Sequence, residues 1–470
     1  MAANLTDQTE RSDLVRGLGL WSAIAIVIGD TIGTGVFLVA SDMAHAVGSA
    51  TLVLIAWIIG GFIVLLGAFC YAELGAAFPK AGGAYVYLTR GLGPLWGFLF
   101  GWMSSLLERP VGMATLSAGF VRFLGFLFPV VATPLFTSHL GRYEVTFTTA
   151  QPLAAIVVLL VTAINCLSVR MSGAVQVLLT SLKIGTILAI VVGGVLFGAK
   201  HASQDAPSFG QLRWGTIGAL LTALVPAMWA YNGFNDLGDL GEEIHRPQEN
   251  IPLAIIVGLL TVGALYVAAN AIYLHILPFS HLAESQHVAS DVVQTFGGSR
   301  GANWLTVAMA ISALGALHVV VLTGARIPYA MAREEVFFHF AKRLHPSFRT
   351  PSGALIFLGS LAALLALSGT YEELYSLFVF AVWIFFALTA IALLRLRRKE
   401  PNLVRPYRAW GYPLTPLVFL AAALALTVNL WMVRPVRSSL GLAVILLGIP
   451  FFYRWRKRPC AGVAAFEQNR

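Results

Sequence analysis

One feature repeats about twelve times along this chain: an apolar run long enough to cross a bilayer, which takes roughly 20 residues. The runs fall near 19–42, 51–77, 94–124, 152–170, 174–199, 214–241, 251–277, 303–330, 353–369, 372–395, 412–432 and 438–455. Inside hydrocarbon every backbone N–H and C=O must be satisfied internally, and an α-helix does this without a partner. Strand alternation is nearly absent. The expectation is an all-α polytopic membrane protein with 12 transmembrane helices. Composition decides one further point. Only 11% of the 470 residues are charged, against about 25% in a soluble domain, too few to cover a water-facing surface.

The first eighteen residues are polar and lack the short apolar core and small-residue cleavage site of a signal peptide. Met1 is therefore expected as the mature start, with 1–18 and 456–470 as cytoplasmic tails. An N-terminus inside places about 22 Lys and Arg on the cytoplasmic side and about seven outside, the asymmetry that sets orientation. The dense clusters at Arg395–Lys399 and Arg454–Arg458 both fall inside. The net charge of +9 is then a matter of topology, and nucleic acid is not an expected partner. Cys70, Cys166 and Cys460 form neither a ligand spacing nor a disulfide framework, so no metal and no cofactor are expected. No soluble domain interrupts the chain. The longest outside connections are about 126–150 and 278–302, the second with room for a short surface helix around Leu282 to Phe296.

Two spans are interrupted. The first carries Gly33-Thr34-Gly35, and the sixth carries Tyr231-Asn232-Gly233-Phe234-Asn235 ahead of Glu242-Glu243. Breaks at the first place in each set of five suggest an inverted five-plus-five repeat over 19–199 and 214–395, with two further helices over 412–455. In transporters built this way the broken helices meet near the membrane midplane and form the binding site. A break frees N–H groups on one side and C=O groups on the other, suited to an anion and a cation respectively. Gly33 and Gly35 leave the backbone open to close approach. The amides of Thr34, Gly35 and Val36, with the Thr34 hydroxyl, are expected to receive a carboxylate. Carbonyls near Ile32, Trp229 and Asn232 are expected to receive an ammonium. One ligand class carries both groups on one carbon: α-amino acids.

These segments resemble signatures of the amino acid–polyamine–organocation superfamily. Ile32-Gly33-Thr34-Gly35-Val36-Phe37 is similar to its first-helix motif. Tyr71-Ala72-Glu73-Leu74 with Pro79–Tyr85, Trp229–Asn235, Glu242–Pro252 and Arg405–Pro413 resemble its L-amino-acid-transporter branch. The resemblance implies a leucine-transporter-like fold and transport of L-amino acids by alternating access, as sodium-independent exchange or with proton coupling. It implies that Trp229 is an aromatic lid over the substrate and Asn235 a polar group beside it. Asn232 stands where an acidic residue would favour cationic substrates, so neutral side chains are expected. Animal members of the branch join a heavy chain through a cysteine between helices three and four. The segment Phe126 to Ala150 has none, so no disulfide-linked heavy chain is expected. A stand-alone monomer or weak homo-oligomer in a bacterial inner membrane is expected instead.

Charges inside spans are costly and need a partner or an aqueous cavity. Lys183 falls near the middle of the fifth span, where the resemblance implies an ammonium in place of a sodium ion, bridging the first and eighth helices near Ile28, Gly29 and Ser312. Asp30 lies one turn before the Gly33 break and is expected to pair with Lys183. Glu108-Arg109 in the third span either neutralise each other or lie near a cavity, and His318 reads as a hydrogen-bonded core histidine. Glu242, Glu243, Arg246 and Arg333 are expected to form a cytoplasmic gate network. An enzyme is not expected: the sequence has no HExxH, no histidine–carboxylate spacing and no nucleotide loop. An amino acid sensor with a transporter-like body remains the rival from another class.

Overall fold

Ten helices among the described residues are long and apolar enough to cross a membrane, and the shorter apolar helices Thr216–Ala230 and Ser352–Ser368 run beside them. The computed structural model describes residues 17–80, 82–140, 143–167, 173–198, 214–348 and 350–456. The expected tails over 1–16 and 457–470, with Cys460, and the connection over 199–213 lie outside them. The first interrupted span comprises α1 (Leu20–Thr31), α2 (Gly35–Leu38) and α3 (Ala40–Val47); α4 (Ala50–Ala77) and α5 (Gly83–Leu92) follow. The third span is α6 (Pro94–Met103), a π turn at Ser104–Glu108, and α7 (Arg109–Leu127). Next come α8 (Ala150–Leu167), α9 (Gly173–Phe197), and α10 (Trp214–Ala230) with its 3-10 continuation Asp236–Glu243. The chain then forms α11 (Pro247–Ile276), α12 (Phe279–Glu284), α13 (Val288–Gly324) and α14 (Arg326–Arg333). It ends in α15 (Ser352–Ser368), α16 (Tyr371–Lys399), α17 (Leu414–Val433) and α18 (Pro435–Arg456).

Two expectations change. The connection after α7 is not wholly irregular: Pro134–Leu140 (β1) and Tyr143–Thr148 (β2) form an antiparallel hairpin, with Phe136 and Phe147 stacked at 5.1 Å. The surface helix foreseen around 282–296 is instead split. α12 ends at Glu284, and α13 starts at Val288 and kinks at Gly298, whose φ of 62° falls in the left-handed region.

The bundle is held by side chains that a lipid exterior favours. Leu160 on α8, Leu196 on α9, Val428 on α17 and Leu447 on α18 are each more than half exposed. A water-soluble monomer does not present so continuous an apolar surface, and a bilayer does not penalise it. The chain is a multi-pass membrane protein. Its interior forms where small residues let helices close up. The α4 pair Gly60-Gly61 lies against Met228 and Tyr231, 2.9 Å from where added methyl carbons would fall. α4 packs on α11, α7 on α13, and α8 on α15, while α1 rests against α11 and α9. α16 begins with a capping box, in which the Thr370 hydroxyl accepts from Glu373 N–H and the Glu373 carboxylate accepts from Thr370 N–H. That fixes where Tyr371, the first residue of α16, enters the bundle.

At the end of the bundle carrying Leu18, Gly17 and Leu18 donate backbone bonds to Glu243 O, and His245 N–H returns one to Leu18 O at 2.8 Å. On the same side of the bundle the buried carboxylate of Glu73 receives Arg397, Arg405 at 3.3 Å and the Ala409 N–H at 2.6 Å. This joins α4, α16 and the segment before α17 through one carboxylate.

Candidate functional site

The two interruptions face each other. In the first, Ile32 N–H makes the last regular bond, to Ile28 O at 2.8 Å, and Gly33 N–H doubles back to Thr31 O at 2.9 Å. The helix resumes at Gly35. In the second, Asn232 N–H bends back to Trp229 O at 3.2 Å, and Gly233 takes φ 118°, a conformation that glycine alone adopts freely. The breaks pass backbone against backbone. A Cβ on Gly35 would fall 2.6 Å from Ala230 Cβ, and one on Gly233 2.9 Å from the carbonyl carbon of Asp30. Tyr266 on α11 clips them together, its hydroxyl 2.9 Å from Thr31 O and 3.0 Å from Ala230 O.

Between them is a cavity of about 50 Å³, room for a few waters or a small ligand. Gly33, Thr34 and Gly35 line it from one break and Trp229, Asn232 and Gly233 from the other. Asp30, Asp236, Glu108 and Arg109 form its charged wall. The amides opening the resumed helix have no partner within that helix, as in any first turn, and the macrodipole makes that end favourable to an anion.

The end carrying Tyr371 is closed by a relay. Trp229 Nε1–H donates to the Tyr371 hydroxyl at 3.0 Å. A Trp N–H only donates, so Tyr371 accepts there, and the same hydroxyl shares a hydrogen bond with Thr34 Oγ1, 2.9 Å away. Arg122 holds the same corner, paired with Glu372 at 2.7 Å and lying 5.8 Å over the Tyr371 ring. Trp229 itself is almost fully buried, edge-on to Phe378 at 4.9 Å.

The opposite wall is held by Arg109, which donates from Nη1 to Asp236 Oδ2 at 2.7 Å and from Nη2 to Asp239 Oδ2 at 3.4 Å. Asn235 Nδ2 donates to Asp236 Oδ1 at 2.6 Å. The expected Asp30–Lys183 ion pair does not form among the described residues. Lys183, 3% exposed, donates from Nζ to Gly29 O at 2.6 Å, and Asp30 lines the cavity wall with Asp236. The reason is local: the last carbonyls of α1 have lost their helical donors, and Gly29 O captures the ammonium. Ser312 is buried, and its hydroxyl has no hydrogen-bond partner. The bridge from Lys183 thus reaches the first helix, and no bond carries it to the eighth.

The gate is also rearranged. Glu243 pairs with Arg326 at 2.9 Å, while Arg333 lies 5.9 Å over the Tyr329 ring and Arg246 is exposed at the start of α11. Glu242 adjoins Glu243 at this end of the bundle. Nearby, burial holds the Glu334 carboxyl above its ordinary range, and the Tyr85 hydroxyl at 3.4 Å partly opposes the shift. Of the residues singled out from sequence, Gly33, Thr34, Gly35, Trp229, Asn232, Gly233 and Asp30 come together around the cavity. Ile32 is packed in the core away from it, and Asn235 acts through Asp236. His318 meets Asn165 Nδ2 at 3.0 Å. Tyr266, Tyr371, Asp236, Asp239 and Arg326 were not foreseen. The one available signal was Asp236 and Asp239, two acids in a stretch read as membrane-spanning.

Comparison with known proteins bears on what this cavity holds. The sequence pattern of the family described as Amino acid permease matches residues 18–452. The serine/threonine exchanger SteT of Bacillus subtilis (strain 168) is 31% identical over 455 residues, covering 96% of this chain and 99% of the relative. The b(0,+)-type amino acid transporter 1 of Oryctolagus cuniculus is 31% identical over 406 residues, covering 86% and 80%. The Asc-type amino acid transporter 1 of Mus musculus is 31% identical over 461 residues, covering 96% and 84%.

Proposed function

The chain belongs to the amino acid permease family, in the L-amino-acid-transporter-like branch of the amino acid–polyamine–organocation superfamily, and on that premise we propose that it exchanges neutral L-amino acids across the membrane, without sodium, by alternating access. Amino acid transport follows from the family, and the chain is a transport protein, not an enzyme. The exchange mode, the neutral preference and the route are our reading.

One observation carries it: two broken helices meet at a single small cavity that offers backbone amides and the Thr34 hydroxyl on one side and break carbonyls on the other. A zwitterionic head group fits that polarity, and the aromatic lid of Trp229 closes over it. Asn232, at the cavity wall with its Oδ1 unpartnered, supplies a neutral acceptor to the cargo. The cavity's size favours a small side chain. Lys183 fills the place between α9 and the end of α1 with a fixed ammonium, which supports a sodium-independent cycle.

In the same reading the twelve helices form two inverted sets of five, with α17 and α18 added. The packing of α4 on α11, α7 on α13 and α8 on α15 supports this, because each pair would then be repeat counterparts. The Leu18 end faces the cytoplasm of a bacterial inner membrane, both termini lie there, and the carrier works as a monomer or weak homo-oligomer without a covalent heavy chain. The Arg109–Asp236–Asp239 and Arg326–Glu243 pairs then close the cytoplasmic side, and the Trp229–Tyr371–Thr34 relay closes the outer side.

The test is counterflow in proteoliposomes loaded with unlabelled L-alanine, serine, leucine, glutamate or arginine. Labelled neutral amino acid should enter only when a neutral amino acid is inside, with or without sodium. Binding without flux would instead favour an amino acid sensor.

A further inference from the structure

We propose that Glu108, together with Nε of Arg109, reads the cargo side chain and selects one with a short hydroxyl, of the kind L-serine carries. This rests on the reading of the chain as a carrier of neutral amino acids and names the cargo of that same site. Both residues line the cavity between the breaks, and both are deeply buried, at 2% and 5% exposure. Each holds one buried atom without a hydrogen-bond partner: Oε2 of Glu108, an acceptor, and Nε of Arg109, a donor. Such orphans are few in a native interior, and each calls for an explanation.

The rest of Arg109 is committed. Its Nη1 goes to Asp236 and its Nη2 to Asp239, which fixes the guanidinium and leaves the Nε–H over. Glu108 closes the π turn Ser104–Glu108, a geometry that recurs at functional sites. From there Glu108, Gly112 and Leu116 stand four residues apart, on one face of the helix, and all three line the cavity. Leu116 reaches the first break, its Cδ2 3.5 Å from where a Cβ on Gly33 would lie. Gly112 puts no side chain between Leu116 and Glu108, and Phe378 packs over its bare backbone. Ala316 and Val320 add to the apolar lining. Asn232 Oδ1, a further unpartnered acceptor on the wall, belongs to the second break, beside the carbonyls assigned to the ammonium.

A hydroxyl answers both orphans through one atom. It donates its single proton to Glu108 Oε2 and accepts from Arg109 Nε–H on a lone pair. An ammonium only donates and a carboxylate only accepts, so either would leave one orphan unmet. The methyl group of alanine leaves both unmet once the site closes and water is gone, and a buried polar group without a partner bears its full desolvation penalty. A site built to bond a hydroxyl discriminates in this way against analogues that lack it.

The experiment uses purified full-length protein in proteoliposomes loaded with L-serine. Counterflow of labelled L-serine is inhibited with unlabelled L-serine, L-alanine or L-2-aminobutyrate, the last with a methyl where serine has its hydroxyl. Serine should reach half-inhibition at a concentration at least about tenfold below either analogue. Equal inhibition by serine and 2-aminobutyrate, the result if the two orphans hold only a water, overturns the proposal and leaves the carrier reading standing. Absence of counterflow for every neutral amino acid overturns the carrier reading instead. In Glu108→Leu the advantage of serine over 2-aminobutyrate should disappear; an undiminished advantage overturns the assignment to Glu108. The ratio comes from one preparation, so a lower yield of active protein does not alter it. If that variant is too slow for flux, its thermal stabilisation in detergent by serine against 2-aminobutyrate reads the same preference from binding. If it does not fold, the comparison of serine with 2-aminobutyrate in the parent protein decides.

Discussion

Replacing Tyr371 with Phe removes one oxygen from the centre of the outer closure. The ring keeps its edge contact with Tyr375 at 5.5 Å, so the packing survives and the hydrogen bonds go. Two are lost, from Trp229 Nε1 at 3.0 Å and with Thr34 Oγ1 at 2.9 Å. Each contributes about 0.5–1.5 kcal/mol net, and a buried donor left without a partner costs toward the upper end. Both bonds exist only when the first break, the lid and α16 are together, so the loss of about 1–3 kcal/mol falls on the occluded state. That corresponds to a shift of roughly 5- to 150-fold in a coupled equilibrium, and apparent affinity falls with the closed fraction. Half-saturation for counterflow should therefore rise by at least about fivefold in Tyr371→Phe, with the protein still monodisperse in detergent. A half-saturation and rate within twofold of the parent would refute the relay as the outer closure.

Other positions make sharper contrasts. Gly35→Ala places a methyl against Ala230 backbone at 2.7 Å and should abolish counterflow, whereas Gly185→Ala, with nothing within 4 Å, should leave it unchanged; both are read in the same vesicle assay. Lys183→Met removes the Nζ bond to Gly29 O; a bond from a charged donor is worth about 1.5–3 kcal/mol, so the initial rate of counterflow should drop by roughly ten- to a hundredfold. Glu73→Gln strands Arg397 and Arg405; breaking a buried pair costs about 3–5 kcal/mol, which should appear as a thermal midpoint several degrees lower in detergent, with a smaller effect on half-saturation.

The helix inventory was legible because burial in lipid leaves a direct trace, a long apolar run for each span. The breaks were legible because they come as a pair: Gly33-Thr34-Gly35 in one span is matched by the polar Asn232-Gly233 in another, which close helix packing alone does not call for. The hairpin at Pro134–Thr148 was not, because two short strands outside the bilayer leave no long periodic pattern. The partners of buried polar groups were the least legible. Lys183 and Asp30 looked like a pair by spacing along their helices, yet the ammonium went to Gly29 O, since a broken helix presents free carbonyls. At the gate, Arg326 and not Arg333 is the partner of Glu243. Arg326 opens α14 and meets Glu243, while Arg333 at its other end lies over the Tyr329 ring. Tyr266 and Tyr371 sit in ordinary apolar helices, and nothing in the surrounding sequence marks their hydroxyls as reaching the breaks.

The central claim is that the two breaks recognise the α-ammonium and α-carboxylate of an amino acid through the backbone. Counterflow against internal L-serine should be measured for labelled L-alanine alongside its amide, its N-acetyl derivative and ethylamine, which lack the carboxylate, the ammonium and the carboxylate respectively. The account predicts entry of L-alanine alone. Entry of ethylamine or of the N-acetyl derivative at a comparable rate would contradict it, because either would show that one half of the broken-helix site is not used.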